Sequence, residues 1–402
     1  MSQHARYSEE VVRVMSEQAG GQVHLVSDVL RSGGAHWSGY QGSSVSSSWA
    51  GLGSSLREVL VLGVLGAGHV SMPVCGTHPP DDDPDLDTDL LCLRWLQLAS
   101  WMPGMRSWHQ DRDNTRMPYT LPRQYQEYSR WALETRYRLL PYLRTLQLHW
   151  SDTSRPMVTP MFAQYPMLWS VSWSQFMLGS DLVIGAVTSG DQQLVEMSLA
   201  TGSWYEFYSG AEYYSPSPAQ TLSVPTRLYQ LPVFVRGGTV LVTYETVAGA
   251  SNMLDYTAGA MLELRIALEC QPGPRSLSDT GHRSDSGQLS TCEAESSHDW
   301  IVHVGDSAET EVKVGVSVTS VVETSGSIMI SVTGSTHKTL NTVSITGLAL
   351  ASSSVFTLPG GSEAAMCQDG DSVCWSQQQS VVILKTGDIN LEPGNVEILW
   401  TY

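Results

Sequence analysis

Helical periodicity stops near residue 150. From Arg155-Pro156-Met157 onward the chain reads almost entirely as short alternating strands. A helix-and-strand half followed by an all-strand half cannot be covered by one layer pattern, so more than one domain is expected. The length of 402 residues points the same way. Charge changes at the same place. Residues 1–155 carry 14 Arg against 16 acids, and residues 156–402 carry 8 Lys and Arg against 24 acids. These shifts set an expected boundary near 155, and a second stretch of β character beyond 250 completes the expected division into 1–154, 155–249 and 250–402.

In the first part, Glu9 to Met15 carries an apolar stripe suited to a helix, ended by Gly20-Gly21. Val23 to Ser27 alternates as a short strand, and Trp49 to Val64 has helical spacing. Leu60-Val61-Leu62-Gly63-Val64-Leu65-Gly66-Ala67-Gly68 reads as a buried strand. Helix followed by strand is the rhythm of an α/β barrel. Arg123 to Trp150 is the strongest helix, with Tyr128, Trp131, Ala132, Thr135, Leu139 and Leu143 as its apolar stripe. Pro141 is expected to kink it.

In the second part, Gly179 to Ile184, Gly202 to Tyr208 and Leu231 to Leu241 read as strands parted by Gly and Pro, the pattern of a small antiparallel sandwich. Val312 to Val318, Ser327 to Thr333, Leu340 to Leu350, Ser380 to Lys385 and Val396 to Trp400 repeat the alternation and predict a second β-sandwich. Pro272 to Gly287 is rich in Ser, Gly and Asp and reads as an irregular loop.

A net charge of -18 without a basic patch excludes nucleic acid and anionic membrane surfaces as partners, because there are no clustered cations to displace counterions. No apolar run reaches membrane-spanning length, and Met1 to Arg6 lacks the apolar core of a signal peptide. The 13 Trp and 16 Tyr suit both buried cores and sugar-stacking surfaces. The six Cys fall into local pairs, Cys75/Cys92, Cys270/Cys292 and Cys367/Cys374. The pairing favours disulfides in an oxidising compartment, with six buried thiols as the alternative. No Asn-x-Ser/Thr sequon accompanies them. Neither Cys367/Cys374 nor the acidic run Pro79 to Asp85 has metal-ligand spacing, so no metal and no cofactor is expected.

Several stretches resemble glycoside hydrolase family 31, the family of lysosomal and intestinal α-glucosidases. His36-Trp37-Ser38-Gly39-Tyr40 resembles the family's His-Trp-x-Gly-Asp, and Met72-Pro73-Val74-Cys75-Gly76 shares its Val-Cys-Gly core. Cys92-Leu93-Arg94-Trp95-Leu96-Gln97-Leu98 is close to its Cys-x-Arg-Trp-x-Gln-Leu helix, and Met105-Arg106-Ser107-Trp108-His109 to its Met-Arg-x-His. Arg136-Tyr137-Arg138-Leu139-Leu140-Pro141-Tyr142-Leu143 and Pro232 to Gly238 match two further segments. The resemblance runs over residues 30–245. It implies the last part of a (β/α)8 barrel followed by two antiparallel β-sandwiches, an α-glucoside or oligosaccharide ligand, and a secreted or lysosomal location. It also implies a Cys75–Cys92 disulfide and substrate contacts from Trp37, Arg106 and His109.

The same resemblance implies an incomplete catalytic apparatus. Retaining glycosidases need a nucleophile carboxylate and a proton-donating carboxyl about 5–5.5 Å apart. The family's acid/base Asp falls at Tyr40, a phenol with an ordinary pKa near 10 and a poor donor at neutral or acidic pH. Its substrate-binding Asp falls at Pro73, and His24 stands where an Arg is usual. The family's Trp-x-Asp-Met-Asn-Glu nucleophile strand is not among the 35 residues before His36. The expectation is an α-glucosidase-like chain without hydrolytic activity, the alternative being a carbohydrate- or protein-binding remnant.

Overall fold

The computed structural model describes residues 25–26, 39–41, 45–78, 86–107, 117–169, 173–216, 219–246 and 260–270. Beyond these it describes 291–295, 300–304, 311–321, 325–333, 339–348, 350, 354–368, 371, 373–378, 381–391 and 394–401. The readings at Glu9 to Met15 and Pro272 to Gly287 fall outside these residues. The chain divides into two compact units, one of residues 1–136, 146–198 and 221–232, the other of 137–145, 199–220 and 233–402.

The first unit holds a sheet of β1 (Leu25–Val26), β2 (Gly39–Gln41), β3 (Val70–Val74) and β4 (Gly104–Ser107), in that spatial order and all parallel. Helix α1 (Trp49–Val64) joins β2 to β3, and α2 (Thr88–Ala99) joins β3 to β4, the crossovers that parallel pairing requires. β3 is buried at every residue, as expected of a parallel strand covered on both faces. Both helices begin on a side-chain cap: Ser48 Oγ accepts from Gly51 N at 3.1 Å and Asp87 Oδ1 from Leu90 N at 2.9 Å.

The stretch Leu60 to Gly68 is not a strand. Leu60–Val64 completes α1, and the chain turns at Leu65 and Gly66 before β3 begins at Val70. The physical reason lies outside the stretch. Gly63 lets the helix approach another strand so closely that a Cβ there would sit 2.2 Å from the Val158 carbonyl oxygen.

The long helix is two helices, α3 (Arg123–Arg138) and α4 (Leu140–Thr153), broken at Leu139. Pro141 stands in the first turn of α4, where a missing N–H costs no hydrogen bond, rather than mid-helix. The expected stripe is also only half right. Leu139 and Leu143 are buried, but Trp131 is 48% exposed and Ser129 is the buried residue of α3. What ties the end of α3 down is polar. Arg136 donates from Nη1 to the carbonyls of Ser100 and Met102 at 3.2 and 2.5 Å, and from Nη2 to Pro103 at 2.9 Å.

The unit continues with β5 (Val158–Pro160), the short α5 (Met161–Gln164), β6 (Gln175–Leu178) and β7 (Leu182–Gly185). β5, β6 and β7 pair antiparallel and are wholly buried. β8 (Leu194–Leu199) pairs elsewhere, with β11 of residues 220–225.

In the second unit β9 (Gly202–Glu206) and β10 (Glu212–Ser215) form a hairpin, followed in sequence by β11 (Gln220–Pro225). β12 (Val233–Arg236) pairs antiparallel with β9. Then follow β13 (Thr239–Tyr244), β14 (Leu262–Ala267), β15 (Glu269–Cys270), β16 (Thr291–Glu295), β17 (Trp300–Val304), β18 (Glu311–Val321) and β19 (Ser325–Thr333). β20 (Thr339–Thr346), β21 (Val355–Thr357), β22 (Glu363–Ala364), β23 (Val373–Gln378), β24 (Val381–Asn390) and β25 (Gly394–Thr401) complete it.

The path runs β22-β21-β25-β19-β18-β16-β13-β14-β20-β24-β23, with β15 on β16 and β17 on β18. Its two ends meet. Trp375 N donates to Ala365 O at 2.9 Å, Cys367 N to Trp375 O at 2.8 Å, and a Cys367–Cys374 disulfide clasps the junction. Joining the ends removes two exposed strand edges. Phe356, Trp375 and Trp400 fill the core behind it, with ring centroids 5.8–6.4 Å from Phe356.

Candidate functional site at the mouth of the parallel sheet

Functional groups of an open parallel α/β sheet gather beyond the carboxyl ends of its strands. In β2, β3 and β4 those ends carry Tyr40 and Gln41, Met72 to Val74, and Arg106 and Ser107. The register sets Pro73 beside Arg106 and Val74 beside Ser107, whereas Tyr40 lies level with Val70. Arg106 is exposed there. Trp37, His109, His36 and His24 lie outside the described residues, so the geometry places Tyr40 and Arg106 on one sheet and leaves Trp37 and His109 unplaced.

The chain leaving β3 is held rigidly. Cys75 adopts φ 63° and Gly76 φ 77°, so two successive residues lie in the left-handed region. A Cβ on Gly76 would meet Ser47 N at 2.7 Å, so only glycine fits. Residues 75–78 run alongside 45–48: Thr77 N donates to Val45 O at 2.8 Å, Ser47 N to His78 O at 3.1 Å, and Ser47 Oγ to Cys75 O. The Cys75–Cys92 disulfide ties the same turn to α2. The implied pairing of these two cysteines is therefore formed.

Chemically, the described ends of β3 and β4 offer the Arg106 guanidinium, the hydroxyls of Thr77 and Ser107, and Pro73. No Asp or Glu occupies residues 39–41, 72–78 or 105–107. Such groups are able to hydrogen-bond hydroxyls, and these described residues contain no carboxyl of the kind a retaining mechanism uses. No group of three or more His, Cys, Asp or Glu able to hold a metal occurs among the described residues.

Two features of this unit escaped sequence reasoning. Arg94 and Gln97, buried on α2, reach a turn more than 130 residues away: Arg94 Nη1 donates to Arg227 O at 2.8 Å and Gln97 Nε2 to Leu228 O at 2.9 Å. His69, just before β3, is half-buried, and its buried Nδ1 finds no hydrogen-bond partner among the described residues. Desolvation first, then the nearby Arg136 charge, lowers its pKa to about 4.

Comparison with known proteins places this arrangement. Residues 29–146 match the TIM-barrel domain of glycosyl hydrolases family 31, and residues 154–241 match that family's C-terminal domain. The chain belongs to glycosyl hydrolase family 31. Neutral alpha-glucosidase AB of Sus scrofa is 30% identical over 226 residues, 55% of this chain and 22% of that protein. Alpha-xylosidase 1 of Arabidopsis thaliana is 29% identical over 221 residues, 52% of this chain and 22% of that protein. The chain thus spans under a quarter of the length of these two relatives.

Among solved structures, the cycloalternan-forming enzyme from Listeria monocytogenes, in complex with a pentasaccharide substrate, superposes with a TM-score of 0.74. That match has 16% identity and covers 99% of this chain and 35% of the other. A family 31 dextranase from Flavobacterium johnsoniae, complexed with glucose, gives 0.67 at 16% identity over 90% of this chain and 44% of the other. These likenesses establish the fold: barrel strands and helices of family 31, then its C-terminal domain, with sheet predominant.

Proposed function

We propose that this chain is an α-glucosidase-like member of its family that has lost hydrolysis and keeps saccharide binding at the mouth of the parallel sheet. The observation that carries the reading is Tyr40 at the position of the family's acid/base carboxylate. A phenol cannot protonate a leaving glycosidic oxygen at the rate a raised-pKa carboxyl does. Pro73 supports the reading, since it replaces a substrate-binding carboxylate beside Arg106 in the register.

In this reading Trp37 stacks on the sugar ring while Arg106 and His109 hydrogen-bond its hydroxyls. The four parallel strands are the last four of a (β/α)8 barrel, residues 155–249 are a proximal β-sandwich and 250–402 a distal one. Glucosidase relatives, an oligosaccharide-bound fold neighbour and the disulfides favour an α-glucoside ligand and a secreted or lysosomal setting. The purified chain should release no p-nitrophenol from p-nitrophenyl α-glucoside above the buffer blank. It should bind maltose or acarbose in a calorimetric titration, with affinity reduced at least five-fold in Arg106→Ala. Turnover by the chain overturns the first half of the proposal. Unchanged binding in Arg106→Ala overturns the second.

A further inference from the structure

Three rings of the first unit form a surface cluster that shares no residue with the mouth. Tyr128 and Trp131 sit one turn apart on α3, their centroids 5.4 Å apart. Tyr229, in the turn after β11, lies 6.0 Å from Tyr128 and 6.1 Å from Trp131, edge-on to the indole at 85°. Trp131 is 48% exposed and Tyr229 37% exposed. Burial against the core therefore does not account for the cluster.

The rings are held in place by polar contacts. Gln124 Nε2 donates to Tyr128 OH at 2.7 Å, and Arg227 Nη1 to Tyr229 OH at 3.2 Å. Beneath Tyr229, the buried Arg94 and Gln97 hold the carbonyls of Arg227 and Leu228, and Arg94 Nη1 also donates to Gln97 Oε1 at 3.0 Å. Placing a guanidinium 6% exposed under a surface turn carries a desolvation cost. What that cost secures is a fixed position for the aromatic residue the turn presents. Fixing a contact residue before the ligand arrives removes the ordering penalty from binding.

The size and composition of the patch decide what it fits. At 150–250 Å² per fully buried ring, these partly exposed rings present roughly 200–300 Å². A stable protein partner needs about 800 Å² on each side. Trp131 is the one large apolar side chain exposed on α3, and the exposed polar side chains of Gln124 and Arg227 bond the two tyrosines of the cluster, with the exposed Glu127 one turn before Trp131 on the same helix face. Flat faces rimmed by amide and guanidinium donors match a pyranose, whose C–H face stacks on a ring while its hydroxyls reach the rim.

We infer that Tyr128, Trp131 and Tyr229 form a second saccharide-binding site, a platform for an oligosaccharide or polysaccharide chain. The choice of α-glucan as the ligand rests on the α-glucoside reading above. The test is electrophoresis of the full chain through native gels with and without amylopectin or dextran, with a maltoheptaose titration followed by NMR. Retardation by at least one glucan is expected. It should fall at least five-fold in Trp131→Ala and in Tyr229→Ser, persist in Trp131→Phe, and survive in Arg106→Ala. Far-UV circular dichroism and unchanged melting confirm that these exposed-site variants fold. If retardation survives both platform variants but vanishes in Arg106→Ala, the glucan binds at the mouth, and the platform fails while the saccharide reading stands. If neither glucan retards the wild-type chain and maltoheptaose shifts no resonance, the platform is overturned, and maltose binding at the mouth is judged by its own titration.

Discussion

Arg138 Nη2 lies 2.5 Å from Glu263 Oε2, joining the end of α3 to a carboxylate buried in β14. Thr243 and Ser344 hydroxyls also donate to this carboxylate, at 3.2 and 2.9 Å, and Arg265 stands 3.9 Å away. Burial alone would raise the Glu263 pKa, but Arg265 and Arg138 outweigh it and hold the group below its ordinary 4.5. Arg138 is 34% exposed, and its loss leaves Glu263 still beside Arg265 and two hydroxyls, so what is lost is one charge-assisted hydrogen bond, about 1.5–3 kcal/mol. Arg138→Met should therefore destabilise the chain by that order in urea unfolding. The depressed pKa adds stability that is present above the unfolded value near 4.5 and lost as pH falls below it. The wild-type curve should show that loss, and Glu263→Gln should flatten it.

His69 gives a separate window at higher pH. The unfolded chain takes up the imidazole proton below about 6.5, while the folded chain resists until about 4. Between these values the unfolded state binds more protons, so stability falls as pH falls, by about 3 kcal/mol across the window. His69→Gln should reduce the slope of unfolding free energy against pH between 5 and 6.5, above the range where Glu263 titrates. An unchanged slope refutes the assignment.

The Cys75–Cys92 bridge closes a sequence separation of 17 residues around the left-handed turn beyond β3. Loop closure of roughly that length contributes about 3 kcal/mol through the unfolded state. Cys92→Ser should lower the melting temperature by several degrees, and intact-mass analysis under non-reducing conditions should find these two thiols paired in the wild type.

Much of the first unit was legible because it depends on neighbours in sequence. Trp49 to Val64 showed its helical spacing, whereas Met72 to Gly76 was legible only through the Val-Cys-Gly core it shares with a family motif. The misreadings have long-range causes. Leu60 to Gly68 is apolar enough for a strand, but Gly63 belongs to a helix pressed against Val158, a contact no local window contains. Trp131 was assigned to the core because an indole counts as apolar in any periodicity, whereas α3 turns it outward and fastens itself through Arg136. The turn under Tyr229 depends on Arg94, 133 residues earlier. At the mouth, Tyr40 and Pro73 were legible as departures from a family motif, and their registers relative to Arg106 were not.

Arg136 carries the last prediction, since it joins fold to site. Its guanidinium serves the carbonyls of Ser100, Met102 and Pro103, three of the four residues that lead from α2 toward β4 and so toward Arg106. A planar fork reaches several acceptors at once, and a lysine ammonium on a single stem does not. Hydrogen bonds to charged groups contribute about 1.5–3 kcal/mol each, and an orphaned buried carbonyl adds its own penalty. Arg136→Lys should cost about 2 kcal/mol in urea unfolding, and Arg136→Met more. If Arg106 binds sugar from a β4 positioned this way, Arg136→Lys should also weaken maltose binding at temperatures where the variant remains fully folded. Stability loss with unaltered binding would confine Arg136 to the fold and separate it from the mouth.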